Sequence, residues 1–116
     1  VRARFEPEQS DPKQGRFIFS YRIRIENRGA RTLQLTRRHW NIFDSLADRR
    51  EVTGPGVVGE TPVLAPGEQF SYNSYCDLRS GMGRMHGRYV MRDMGDGSVF
   101  DVLIPEFELL YPYLAN

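Results

Sequence analysis

The chain has 116 residues, of which 40% are hydrophobic and 27% charged, and its formal net charge is +1. A chain of this length makes one domain and can bury roughly two-thirds of its unfolded surface, so it needs neither a metal nor disulfides to hold a core. The single cysteine, Cys76, excludes an internal disulfide, no apolar run approaches the ~20 residues of a membrane helix, and a near-neutral balance argues against a nucleic-acid partner.

The lone thiol and the lack of a basic-then-apolar leader pattern fit a cytoplasmic protein. Charge is unevenly spread along the chain. Residues 1–58 hold 12 basic and 7 acidic residues, whereas residues 59–116 hold 4 and 8.

From the N-terminus, Val1, Ala3 and Phe5 alternate as a first strand. In residues 17–26, Phe17, Phe19, Tyr21, Ile23 and Ile25 share one face at period two, and Ser20, Arg22, Arg24 and Glu26 take the other. Residues 27–30 form a turn. The next strand has Leu33 and Leu35 on odd positions but Trp40 and Ile42 on even ones. One extra residue, a β-bulge at Arg37, Arg38 and His39, would let both pairs face the core.

After a polar turn at 44–48, residues 50–53 make a short edge strand. Residues 65–68 form a turn. Phe70, Tyr72, Ser74, Cys76 and Leu78 alternate in the following strand. Met85, Gly87, Tyr89 and Met91 follow, then a hairpin turn at 93–97. Phe100, Val102 and Ile104 face inward on the last strand, which Pro105 limits. These patterns predict an all-β antiparallel sandwich of about seven strands, one domain over 1–116, with residues 108–116 as an apolar C-terminal tail. Leu109, Leu110, Tyr111, Tyr113 and Leu114 of that tail either fold back on their own domain or pair two copies as a homodimer. The core is expected to contain Phe19, Tyr21, Ile23, Trp40, Ile42, Phe70, Tyr72, Tyr89 and Val102.

Gly54, Gly56 and Gly59 carry a G-x-G-x-x-G spacing. A dinucleotide loop needs a strand before it and a helix start after it, because the helix N-terminus supplies N–H donors and dipole. Here Glu60, Thr61 and Pro62 follow, so that reading fails. What remains is an anion-binding nest of backbone N–H groups, or a loop that needs glycine for its backbone angles. Arg37, Arg38 and His39 could add a bidentate clamp for a phosphate-containing small molecule. His39, His86 and Cys76 lack ligand spacing, so no metal is expected. Cys76 lies on the apolar face of its strand, and no Ser–His–Asp spacing appears, so no catalytic residues are expected. Arginines around Tyr21 read as the solvated face of a strand.

Arg38-His39-Trp40, the glycine stretch with Glu60, Pro62-Val63-Leu64-Ala65-Pro66-Gly67-Glu68, Met85-His86-Gly87-Arg88-Tyr89 and Phe100-Asp101-Val102-Leu103-Ile104-Pro105-Glu106-Phe107 together resemble the ApaG (DUF525) family. The resemblance implies a fibronectin-III/immunoglobulin-like sandwich. It also implies a binding role, because in eukaryotes the domain is appended to an F-box protein and to a polymerase-delta-interacting protein. Bacterial members are small proteins linked to cobalt resistance and magnesium efflux, and the family brings no catalytic residues. The expected function is therefore a non-enzymatic module that binds a protein partner and uses no cofactor. The alternative is a small-anion or pyrophosphate-binding protein that uses the glycine loop.

Overall fold

The computed structural model describes residues 1–113. It contains eight strands: β1 (Arg2–Phe5), β2 (Phe17–Glu26), β3 (Leu33–Asp44), β4 (Ala47–Pro55), β5 (Val63–Leu64), β6 (Gln69–Leu78), β7 (Met82–Asp93) and β8 (Val99–Leu110). Two short 3-10 turns, Pro7–Gln9 and Pro12–Gln14, join β1 to β2. The strand beyond the expected seven is β5, two residues long and too short to show a period. No helix among the described residues is long and apolar enough to cross a membrane.

All pairings are antiparallel. One sheet has the order β1-β2-β6, and the other β4-β3-β7-β8 with β5 on β3. The two sheets pack face to face as a sandwich. Buried between them are Phe19, Tyr21, Ile23, Trp40, Ile42, Tyr72 and Tyr89, as the period-two patterns predict. Leu35, Val57, Leu78, Met85 and Leu109 complete the centre of the core. Phe70 is only half-buried and packs against its rim.

Val102 departs from expectation: it is 39% exposed. It lies opposite Tyr89 on the inward face, but the facing sheet is too narrow to cover it. That sheet ends at β1, which packs along β8. Near this contact a groove joins Val1, Arg2 and Ala3 to residues from Glu106 to Leu110. Ile104, Phe107 and Leu109 are accordingly buried, whereas Phe100 stays open.

Pro105 does not end the last strand. Met85 pairs with Phe107 and Gly87 with Ile104, so Pro105 and Glu106 together face His86 alone. Proline is tolerated there because β8 is an edge strand and the residue sits in a bulge. Residues 108–110 are thus strand and not tail. Beyond them, the Tyr111 N–H donates to the Gly81 carbonyl at 2.7 Å. Its ring packs against Phe5 and Phe17 with centroids 4.8 and 5.3 Å away, so this part folds back on its own domain. Leu114 lies outside the described residues.

Candidate functional site

The phase slip in β3 is real but one residue earlier than expected. Leu35 pairs with Met91 and Arg37 with Val90, leaving Thr36 as the extra residue. Freed from the ladder, Thr36 donates its hydroxyl to the Val90 carbonyl at 3.0 Å and accepts the Gly56 N–H at 2.8 Å. The bulge therefore anchors the glycine loop, which runs from the end of β4 to β5, both paired with β3.

The consequence for the arginines is geometric. After Thr36, the even positions face inward, so Arg38 shares the face of Trp40 and Ile42. Arg37 and His39 point to the outer face, opposite Pro55 and Thr53 of β4. A clamp built from all three residues does not form, because successive side chains of a strand take opposite faces. Outside, the His39 Nε2 lies 3.9 Å from the Glu51 carboxylate.

The loop does lie beside Arg38, which pairs with Gly54. Gly54 leaves room for this side chain: a Cβ there would sit 3.2 Å from the Arg38 guanidinium and press it aside by a few tenths of an ångström. With that space open, Arg38 lies across β4 and its Nη1 donates to the carbonyls of Pro55 and Gly56, both at 3.0 Å. The loop thus shows carbonyls, not amides, to the cation.

Its N–H groups are largely engaged as well. Gly56 N–H goes to Thr36, and Val57 and Glu60 exchange N–H···O bonds of 2.8 and 2.9 Å. Val58 and Gly59, at φ 43° and 82°, form the tight turn between them. Two successive positive φ values match a type I′ turn. Valine rarely adopts this conformation, so the Val58 backbone carries local strain. The turn holds Val57 fully buried in the core.

Arg38, Val57 and Val58 line a cleft of about 450 Å³ at the open side of the sandwich, with Trp40, Tyr21 and Tyr72 as its aromatic wall. On this side β4 and β6 are the edges of the two sheets. Val52 of β4 and Ser74 of β6 also line it. At one end Arg50 crosses from β4 to β6, donating to the Asp77 carbonyl and lying 3.3 Å from its carboxylate. Arg38 has no carboxylate partner among the described residues.

Reading parity from Trp40 backwards would have separated Arg38 from its neighbours. Tyr21 and Tyr72 were legible only as core and Val57 only as part of the glycine stretch, because a cleft between two sheet edges has no sequence period.

Burial sets the chemistry of the cleft. It pushes the Tyr72 hydroxyl up to about 12 and the Cys76 thiol up to about 11. It also raises Tyr89, whose hydroxyl lies 2.5 Å from that of Tyr72. These groups stay protonated at neutral pH.

Each ionises more readily unfolded, with ordinary values of 9.0 for the thiol and 10.0 for tyrosine. Neutrality therefore favours the fold below those values, and the advantage is lost as pH rises toward the folded-state values. The thermal midpoint should begin to fall near pH 9 and steepen between pH 10 and 12. Tyr72→Phe should flatten the steeper limb. An equal slope in both proteins would show that the tyrosine pair does not titrate with unfolding.

His39 and His86 project from the outer face of the large sheet, and Cys76 is buried on β6. Among the described residues no three potential ligands gather to hold a metal.

The model of the ApaG domain, DUF525, matches residues 7–93. Among relatives, Protein ApaG of Anaeromyxobacter dehalogenans (strain 2CP-C) is 50% identical over 117 residues, covering 100% of this chain and 90% of that protein. Protein ApaG of Paramagnetospirillum magneticum is 50% identical over 106 residues, covering 91% and 81%. A crystal structure described as the putative ApaA protein from Bordetella pertussis superposes with a TM-score of 0.90 at 45% identity, covering 96% of this chain and 89% of that one. A protein from Archaeoglobus fulgidus, at 10% identity and a TM-score of 0.55, shares the fold alone. With the family model spanning most of the sandwich and full-length relatives at half identity, the chain belongs to the ApaG domain family.

Proposed function

We propose that the chain is a non-enzymatic binding module that takes an extended segment of a partner protein along the cleft between β4 and β6, with an acidic side chain of that segment on Arg38. The observation that carries this reading is Arg38 itself. It is a cation turned to the inner face, fixed by two loop carbonyls and without a carboxylate partner among the described residues, beside a largely apolar cleft of about 450 Å³. Such a volume suits ligands and anchoring side chains. The guanidinium is held in place before a ligand arrives, so little ordering is lost on binding. Both flanking strands are sheet edges, whose outer N–H and C=O groups suit the addition of a strand. Tyrosine and cysteine groups held protonated support binding rather than acid–base work in this cleft.

The second reading is a phosphate-containing small molecule on the same guanidinium. The glycine loop would then serve by orienting Arg38 and not by offering its own amides.

Amide chemical shifts separate the two. A blocked octapeptide of alternating valine and glutamate should shift the cleft amides, its glutamine counterpart should bind at least tenfold more weakly, and Arg38→Met should remove the difference. Pyrophosphate and inorganic phosphate form separate arms, and saturation by either below the peptide's range would favour the small-molecule reading. If no probe moves the amides of Arg38, Val57 or Ser74 at millimolar concentration, both readings fail.

A further inference from the structure

The outer face of the three-stranded sheet gathers charge that no single stretch of sequence displays. Arg22 and Arg24 project from β2, and β1 lays Arg2 directly opposite Arg22 and Arg4 opposite Ser20. Like charges placed directly across two strands repel and destabilise the sheet. Among the described residues, Arg2, Arg22 and Arg24 have no carboxylate within ion-pairing distance. Acids flank the column. The Glu6 carboxylate lies 3.9 Å from Arg4 and accepts the Ser20 hydroxyl at 2.5 Å. Asp77 follows Tyr75 on β6 and is held by Arg50 at 3.3 Å, and Glu26 is held by Arg28 at 3.2 Å. The excess of base in residues 1–58 is thus partly concentrated on one flat surface, although the net charge of the chain is only +1.

Beside this basic column runs a second one on β6. Tyr75 lies opposite Ser20, Asn73 opposite Arg22 and Ser71 opposite Arg24. Tyr75 is 59% exposed at the rim of the sheet, where it also borders the cleft between β4 and β6. We propose that this face binds single-stranded nucleic acid, its backbone following the arginines and a base stacking on Tyr75 beside Asn73. Two parallel tracks, one cationic and one aromatic and amide-bearing, are what a strand of phosphates and bases requires. An acidic peptide would use the arginines and leave the second track idle. The expectation of no nucleic-acid partner rested on net charge, which averages out a local field. Arg22 and Arg24 do not line the cleft although Tyr75 does, so the arginine variants separate this inference from the cleft reading.

The test is fluorescence anisotropy with end-labelled mixed-sequence octamers, one of RNA and one of DNA, beside a glutamate octapeptide. Three or four neutralised phosphates give a log–log salt slope of roughly −2 to −3, or about 20- to 50-fold weaker binding between 50 and 200 mM salt. The double variant Arg22→Glu/Arg24→Glu should bind at least tenfold more weakly. Arg49→Glu/Arg92→Glu, an equal charge change on the other sheet, should lose no more than threefold. Tyr75→Ala should weaken the oligonucleotides but not the peptide. These positions are exposed, and an unchanged thermal midpoint confirms that the variants fold. A preference for RNA over DNA would point to 2′-hydroxyl contacts from the β6 column. Equal loss in both charge variants, or a glutamate peptide bound as tightly as the oligonucleotides and weakened as much by Arg22→Glu/Arg24→Glu, overturns the proposal.

Discussion

Trp40→Ala should cost about 3–5 kcal/mol of stability, the range for truncating a buried aromatic. Trp40 is 3% exposed. Its ring meets Tyr21 and Phe107 edge-on, with centroids 5.7 and 5.9 Å away. Removal leaves a void between two sheets whose other side chains cannot close it without moving the ladder of β3. The same ring walls the cleft, so the variant should also lose any ligand taken there. Urea unfolding measures the first effect: the midpoint should fall with little change in slope. A loss below ~1 kcal/mol would mean that the indole is not packed as described. Arg37→Ala, on the outer face of the same strand, should change stability by no more than about 0.5 kcal/mol.

Gly56→Ala is the second large effect, and its contrast with Gly59→Ala makes it informative. Both glycines have positive φ, 57° and 82°. That conformation alone costs an L-residue roughly 1–2 kcal/mol. At Gly59 a Cβ would meet nothing within 4 Å, so this is the whole penalty. At Gly56 it would fall 2.0 Å from the Glu60 carbonyl oxygen and 2.8 Å from its carbon. Both atoms are main chain, fixed by the Val57–Glu60 bonds, so the loop must open. We expect about 3–4 kcal/mol for Gly56→Ala against about 1 kcal/mol for Gly59→Ala. Opening the loop would also withdraw the carbonyls that hold Arg38, so Gly56→Ala should weaken ligand binding in the cleft whereas Gly59→Ala should not. Equal costs at the two sites would show that the loop relaxes freely and does not orient the guanidinium.

Period-two alternation was enough to read the sandwich, its core and the inward faces of β2, β6 and β7, because a strand half-buried in one sheet repeats every second residue wherever it lies in the fold. It was also enough to demand a bulge in β3, since Leu35 and Trp40 cannot share a face without one. The position of that bulge was not legible. Any residue between them satisfies the parity, and only the anchoring of Gly56 by Thr36 selects one. Moving the bulge from residues 37–39 to Thr36 turns Arg38 inward and Arg37 outward, which separates the residues the sequence had grouped. The glycine spacing was equally visible but mute, because whether a loop shows amides or carbonyls depends on the hydrogen bonds that close it. Val102 kept its inward phase yet stayed open, since coverage depends on the width of the opposite sheet and not on the strand itself. Composition and alternation therefore determined the class of fold and the faces of its strands, for these are local properties of the chain. The cleft between β4 and β6, the isolation of Arg38 and the basic column across β1 and β2 arise where strands distant in sequence become neighbours, and only the tertiary pairing could decide them.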